Sequence, residues 1–188
     1  MSMKKSKMKV YFLREFKTKL QYQTFLDYML SNSDVFSFTY CKRDESEKTK
    51  MGIKAIADAL KKYKVFSKQT NEWPGTVTYD HSLHKLVLYC ADINCIEVLK
   101  SKNGIYDWLY PAAPEDLCFY KNGSCWLATT SHEKMGFLYT DNAAEVAKLM
   151  DMGADLFLCD IEKEPYQIEY GKALNKFNKH SGQNANES

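Results

Sequence analysis

The sequence predicts an α+β fold: a single domain with a mixed or antiparallel sheet, a C-terminal hairpin and three to four helices. Three observations carry this expectation. Apolar residues switch repeatedly between a two-residue period and a three-to-four-residue period along the chain. Asn122-Gly123 stands between two apolar runs, a hairpin signal that requires antiparallel pairing and argues against a purely doubly wound sheet. The chain has 188 residues, 45% hydrophobic and 27% charged, the size and balance of one ordinary globular domain.

The elements follow in order. Lys9-Val-Tyr-Phe-Leu-Arg14 is a short β-branched and aromatic run, predicted as a first strand. From Leu20, the spacing of Leu20, Phe25, Met29 and Leu30 predicts an amphipathic helix of about 13 residues that stops at Ser31-Asn32-Ser33-Asp34. Val35 to Cys41 alternates, with Phe36, Phe38 and Tyr40 on one face and Ser37 and Thr39 on the other, so a half-buried strand is expected. Lys42 to Lys50 is charged and reads as a loop. Ile53, Ile56, Ala57 and Leu60 then mark a second helix. Residues 67–84 carry no period and include the turn signal Trp73-Pro74-Gly75, which predicts a long irregular segment. Leu86 to Cys90 is an apolar strand. Asp92 caps a helix through Ile93, Ile96 and Leu99 that ends near Asn103-Gly104.

Ile105 to Asp116 is aromatic, broken by prolines and acidic at its end. The hairpin follows over residues 117–129. A two-residue turn at Asn122-Gly123 pairs Lys121 with Ser124, Tyr120 with Cys125, Phe119 with Trp126 and Cys118 with Leu127. Cys118 and Cys125 then share one face, and Phe119 and Trp126 the other. Gly136 to Thr140 is a third strand. Asn142 and Glu145 have the spacing of a capping box for a helix carrying Val146, Leu149 and Met150, which Gly153 ends. Asp155 to Cys159 is the last strand. The domain is placed at residues 1–164, with 165–188 as a C-terminal helix to about Lys179 and a disordered tail from Ser181.

Charge and cysteine usage narrow the function classes. There are 26 basic and 24 acidic residues, net +2, so no strong pull on phosphate backbones or anionic membranes is expected. Lys4, Lys5, Lys7 and Lys9 at one end, and Lys61, Lys62, Lys64 and Lys68 after the second helix, read as solvated surface rather than a nucleic-acid footprint. The apolar stretch Val10 to Leu13 is too short for a secretory signal, and no run approaches the ~18 residues of a membrane span. The six cysteines mostly stand in strand-like apolar runs, which points to free thiols in a reducing cytoplasm.

Few side chains are spaced for chemistry. Cys118, Cys125, His132 and Glu133, with Asp116 upstream, offer a nucleophile, a base and an orienting acid, as cysteine catalysis requires. The gap from Cys118 to Cys125 does not match the Cys-x₂₋₄-Cys of zinc sites. His81 and His84 beside Asp80 lie on a loop entering a strand, and Cys90 and Cys95 flank a strand end and a helix start. No phosphate-cradling glycine loop or Gly-x-Ser-x-Gly elbow occurs. No metal and no cofactor are assigned. Trp73, Tyr79, Tyr106, Trp108 and Tyr110 fall on expected loops, and aromatic residues of this kind dominate protein-interface hot spots.

Asp107 to Glu133 resembles segments of small bacterial proteins, some of them similar to immunity proteins. The likeness lies in its Pro-Glu-Asp-Leu-x-Phe start, its Gly-x-Cys-Trp turn and its Ser-His-Glu end. That resemblance implies a non-enzymatic protein that binds another protein, of toxin-neutralising immunity or anti-defence type. Its binding residues are taken as Trp108, Tyr110, Glu115, Asp116, His132 and Glu133. The alternatives are a small cysteine-dependent hydrolase or transferase using Cys125 or Cys118 with His132, and a protein that captures a small nucleotide or other ligand. Thiol counting in denaturant without reductant is expected to find six free groups per chain; two or fewer would overturn the redox assignment.

Overall fold

The computed structural model describes residues 6–41 and 47–184. Its strands are β1 (Met8–Leu13), β2 (Val35–Tyr40), β3 (Lys64–Thr70), β4 (Glu72–Trp73), β5 (Thr76–Val77), β6 (His84–Cys90), β7 (Glu115–Lys121), β8 (Ser124–Thr130), β9 (Met135–Tyr139) and β10 (Leu156–Lys163). The helices are α1 (Lys19–Ser31), α2 (Glu47–Ala59), α3 (Ile96–Lys100), α4 (Ala143–Asp151) and α5 (Gly171–Asn184). Eight strands form one antiparallel sheet in the order β10-β1-β9-β8-β7-β2-β6-β3, and β4 and β5 pair as a separate small hairpin. This is an α+β architecture with five α-helices among the described residues, one more than expected, and no parallel pair among the described strands.

The sheet is covered on both faces. On the first, Tyr22, Phe25, Leu26, Met29 and Leu30 of α1 pack with Leu99 of α3, Val146 and Leu149 of α4, and Ile105 to Ala113. They meet Phe36, Phe38, Phe119 and Leu127 of the central strands. On the second face, Val35, Leu86, Leu88, Cys118, Tyr120, Cys125 and Ala128 are covered by Trp73 from the small hairpin and by Ile168 and Tyr170. Burial on both sides explains why β2 departs from the expected half-buried strand: Ser37 and Thr39 are as inaccessible as its phenylalanines. The hydroxyl of Ser37 is satisfied there by the Tyr120 hydroxyl, 2.9 Å away.

Local chemistry sets most boundaries. Thr18 and Gln21 form a capping box for α1, which runs the expected length, although Leu20 lies on its exposed side. The Asn142 side chain accepts from the Ala144 and Glu145 N–H groups at the start of α4, but the Glu145 carboxylate turns to Lys121 and Thr140 instead of back to the cap. Gly153 ends α4 at φ 96°, as its position predicts.

Other expectations are corrected. Residues 67–84 are not one irregular loop: β3, β4 and β5 lie within or across them. β3 shows no alternating pattern because, as an edge strand bonded among the described residues only to β6, it is half-buried and carries Ser67, Lys68, Gln69 and Thr70. The charged stretch expected as a loop is helical from Glu47, while residues 42–46 lie outside the described residues. Residues 181–184 belong to α5 and not to a disordered tail; residues 185–188 lie outside the described residues.

The hairpin turns at Asn122 (φ 50°) and Gly123 (φ 81°), positive at both positions as the Asn-Gly pair predicts. Lys121–Ser124 and Tyr120–Cys125 pair as expected. Beyond them the register shifts, and Phe119 faces Leu127 instead of Trp126. The extra residue in β8 is a bulge that sends both Trp126 and Leu127 into the first-face core. The turn is pinned from outside. The Asp34 carboxylate accepts from the Asn122 N–H at 2.6 Å and from the Tyr170 hydroxyl at 2.8 Å, and that hydroxyl accepts from the Gly123 N–H. Residues 166–168 then bond to Cys125 and Gly123, lying beside the start of β8 like a further strand. Gly123→Val is expected to destabilise the fold by at least about 1 kcal/mol, since a β-branched residue is strained at this φ; an unchanged denaturation midpoint would refute the turn's role.

Candidate functional site

The residues of interest converge where β7 begins. Register between β2 and β7 shifts between Ser37–Cys118 and Thr39–Glu115, so β7 holds one extra residue. That residue region includes Asp116, at φ 59° in the left-handed conformation that Asp tolerates better than most residues. A bulge of this kind re-aims side chains. Here it puts Glu115 opposite Thr39, on the face of Val35 and Ser37, and lets Asp116 reach the same side. Both acids are deeply buried, 3% and 1% exposed.

Asp116 ties three segments together. Its Oδ2 accepts from the Trp73 indole N–H at 2.7 Å, and its Oδ1 from the Ser131 backbone N–H at 2.7 Å. Its own N–H donates to the Trp108 carbonyl at 3.3 Å. Burial raises its pKa to about 6, against the lowering effect of these two donors. Trp73 in turn meets the His84 ring edge-on, centroids 5.5 Å apart. The Glu115 and Asp116 carboxylates and the His132 ring offer ligating atoms all within 4.8 Å of one another.

The other sequence candidates fall elsewhere. Trp108 is fully buried; its N–H donates to the Tyr22 hydroxyl at 3.0 Å and its ring lies 4.5 Å from Phe38. It is a core residue, not an exposed anchor, because Ile105 to Ala113 folds back onto the first face. Tyr110 is half-buried, and His132 and Glu133 are exposed just after β8, 3.6 Å apart. Glu115 and Asp116 are likewise too buried to present charge to a partner. Trp73 and Trp108 lie on opposite faces of the sheet, so no common aromatic pocket forms.

Cys125 and His132 are not brought together. Cys125 is buried under the C-terminal segment and its thiol donates to the Leu127 carbonyl at 3.3 Å. His132 lies beyond the far end of the same strand, roughly 20 Å along an extended chain. Cys118 does sit beside Cys125, as the register predicts, and none of the six cysteines is joined in a disulfide among the described residues. Burial, then the neighbouring Cys118, pushes the Cys125 thiol well above its ordinary range, the opposite of an activated nucleophile. Cys95 is likewise raised, to about 12, by burial first and Asp92 second. Of the cysteines, Cys41, Cys90 and Cys159 are only half-buried, less than their apolar settings predict.

At the other end of the hairpin a groove of about 390 Å³ is lined by Lys121, Ser124, Trp126, Thr140 and Glu145 among others. Its polar groups already satisfy one another: the Glu145 carboxylate accepts from Lys121 at 2.9 Å, Thr140 at 2.8 Å and Trp126 at 3.3 Å, and the Lys121 ammonium stands 3.0 Å over the Trp126 ring.

Two features lay outside the sequence reading. One is the set Thr39, Trp73 and Ser131 around the two acids, for which no local signal exists because the bulge and the small hairpin assemble it. The other is the exposure of β10: the strand expected at Asp155 to Cys159 runs from Leu156 to Lys163, and its Phe157, Leu158 and Ile161 are 42%, 59% and 47% exposed on an edge of the sheet. The adjacent pair Phe157-Leu158, breaking strict alternation, is the signal that marks this strand. No helix among the described residues is long and apolar enough to cross a membrane. Comparison with protein-family models, with curated proteins and with solved structures finds no match.

Trp73→Phe keeps the ring but removes the donor to Asp116. It is expected to cost about 1–3 kcal/mol of stability, read from the denaturation midpoint, because a buried carboxylate oxygen loses its partner. Tyr79→Ala, at a residue 96% exposed, serves as the neutral control.

Proposed function

We propose that this is a non-enzymatic binding protein that captures another protein chain along β10. The observation that carries the reading is the exposure of three apolar side chains, Phe157 and Leu158 on opposite faces and Ile161 beyond the bulge, on a strand that pairs, among the described residues, with β1 alone. Unpaired edges are templates for strand addition, and sheet proteins normally blunt them with charge and bulges. Both devices are present in part. Three residues of β10, Cys159 to Ile161, face the single Val10 of β1, and Asp160, Glu162 and Glu164 stand exposed around them. They oppose pairing of β10 with a second copy of itself, where acid would approach acid. They leave a short edge with apolar side chains on both faces and an acidic margin.

The partner that fits is a chain with apolar side chains to cover that edge and basic ones to meet the acids. A toxin-neutralising or anti-defence protein masking a basic partner is one form of this reading. The cysteine-enzyme alternative gains no support from a buried, proton-retaining Cys125 far from His132. The test is retention of the native partner from the host by wild type, Leu158→Asp, Ile161→Lys and Cys125→Ser, followed by affinity measurement with the purified partner. The β10 variants are expected to weaken binding by about 2 kcal/mol or more with the fold intact, and Cys125→Ser to leave it unchanged. Loss in Cys125→Ser with both β10 variants binding normally would refute the proposal.

A further inference from the structure

The cluster at the start of β7 is built unlike a surface patch of acids. Glu115 and Asp116 are almost wholly inaccessible, and a β-bulge turns both to one side. Two hydroxyls flank them. Thr39, the register partner of Glu115, directs its side chain to the same face, within the 4.5–5.5 Å that separates opposite Cβ atoms of antiparallel strands. Ser131 gives its backbone N–H to Asp116 Oδ1 at 2.7 Å, so its hydroxyl belongs to the residue bound to that carboxylate. Both hydroxyls are buried and lack a hydrogen-bond partner among the described residues. Such groups are costly to bury and call for an explanation, an ion being one of the ordinary ones. On the solvent side His132 closes the cluster, half exposed and therefore on the route by which an ion enters.

We propose that Glu115, Asp116 and His132 hold a divalent transition-metal cation of the Mn²⁺ or Zn²⁺ class, with the Thr39 and Ser131 hydroxyls at its margin. The donor set decides the class. Two carboxylates suit Mg²⁺, Ca²⁺ and Mn²⁺, an imidazole suits Zn²⁺, and an ion that accepts both kinds is required. The spacing agrees. Donors on one ion with bonds of about 2.2 Å lie about 3 to 4.4 Å apart according to the angle between them, and the three ligating atoms here all lie within 4.8 Å of one another, so shifts of about an ångström or less close the site. Asp116 keeps lone pairs for this role, since each carboxylate oxygen has two and each here accepts one N–H. Trp73 and Ser131 then act as the outer contacts that orient a ligating carboxylate. The ion would clamp the β7 bulge to the turn after β8, a role separate from capture along β10.

The test uses the full chain, freed of any purification tag and stripped with chelator, titrated calorimetrically with Mn²⁺, Zn²⁺, Mg²⁺ and Ca²⁺. Wild type is expected to bind Mn²⁺ or Zn²⁺ at one site, to prefer it to Mg²⁺ and Ca²⁺, and to gain about 5 °C or more in Tm at ~1 mM ion. His132→Ala, at an exposed position, is expected to keep the ion-free Tm and weaken binding at least about tenfold; Glu115→Gln is expected to weaken it similarly. The nitrogen coupling of imidazole in the pulsed electron-spin spectrum of bound Mn²⁺ is expected in wild type and absent in His132→Ala. Failure of wild type to bind either ion, or undiminished affinity in His132→Ala, would overturn the proposal.

Discussion

Strand β7 is buried on both faces along nearly its whole length, and the need to cover it twice governs where the rest of the chain goes. A strand in the middle of an antiparallel sheet usually leaves one face to water. Here Leu117 and Phe119 point into a core roofed by α1, α3 and the 105–113 segment, while Cys118 and Tyr120 point into another roofed by Trp73, Ile168 and Tyr170. Neither roof is a regular layer. The first includes a stretch broken by prolines; the second combines the six-residue hairpin Glu72 to Val77 with the run into α5.

Irregular roofs bring polar groups that a sheet face cannot satisfy alone, and the structure meets this with side chains at fixed points. Asp116 supplies acceptors to the Trp73 indole and the Ser131 amide. Asp34 supplies them to the hairpin turn and to Tyr170. Tyr22 accepts from Trp108 and donates to the Leu99 carbonyl at 3.4 Å. Each of these links spans elements distant in sequence, so each is worth more to the specificity of the fold than to its net stability, where a hydrogen bond contributes on the order of 1 kcal/mol. Asp116 is the exception in cost. Its charge sits in a low-dielectric place with a neighbouring carboxylate, and that is where a bound cation changes the balance most.

The two edges of the sheet are treated differently. β3 is dressed with Lys64 and Lys68, and the Lys68 ammonium donates to the Tyr166 hydroxyl at 2.8 Å, so the approach to that edge is partly covered. β10 keeps apolar side chains in the open. This contrast within one sheet, and not the aromatic content of the chain as a whole, supports the proposal of β10 as a surface for another protein.

The sequence alone determined the α+β class, α1, the apolar strands and the Asn122-Gly123 turn, because period, capping and positive φ are local properties that a few adjacent residues express. It also brought Cys118 and Cys125 to one face, since that follows from counting back from the turn. Only the tertiary structure decided the rest. The bulges at Asp116 and Trp126 shift register by one residue, and one residue is enough to move a side chain to the other face. Trp108 became core and Phe157 became surface for the same reason: exposure depends on what packs above a residue, and a pattern of neighbours in sequence does not carry that information. β3 does not alternate because, at an edge and only half-buried, neither of its faces is sealed enough to impose the pattern. The grouping of Glu115, Asp116 and His132 arises from two strand ends meeting across a bulge, a geometry set by the folded sheet and by no spacing along the chain.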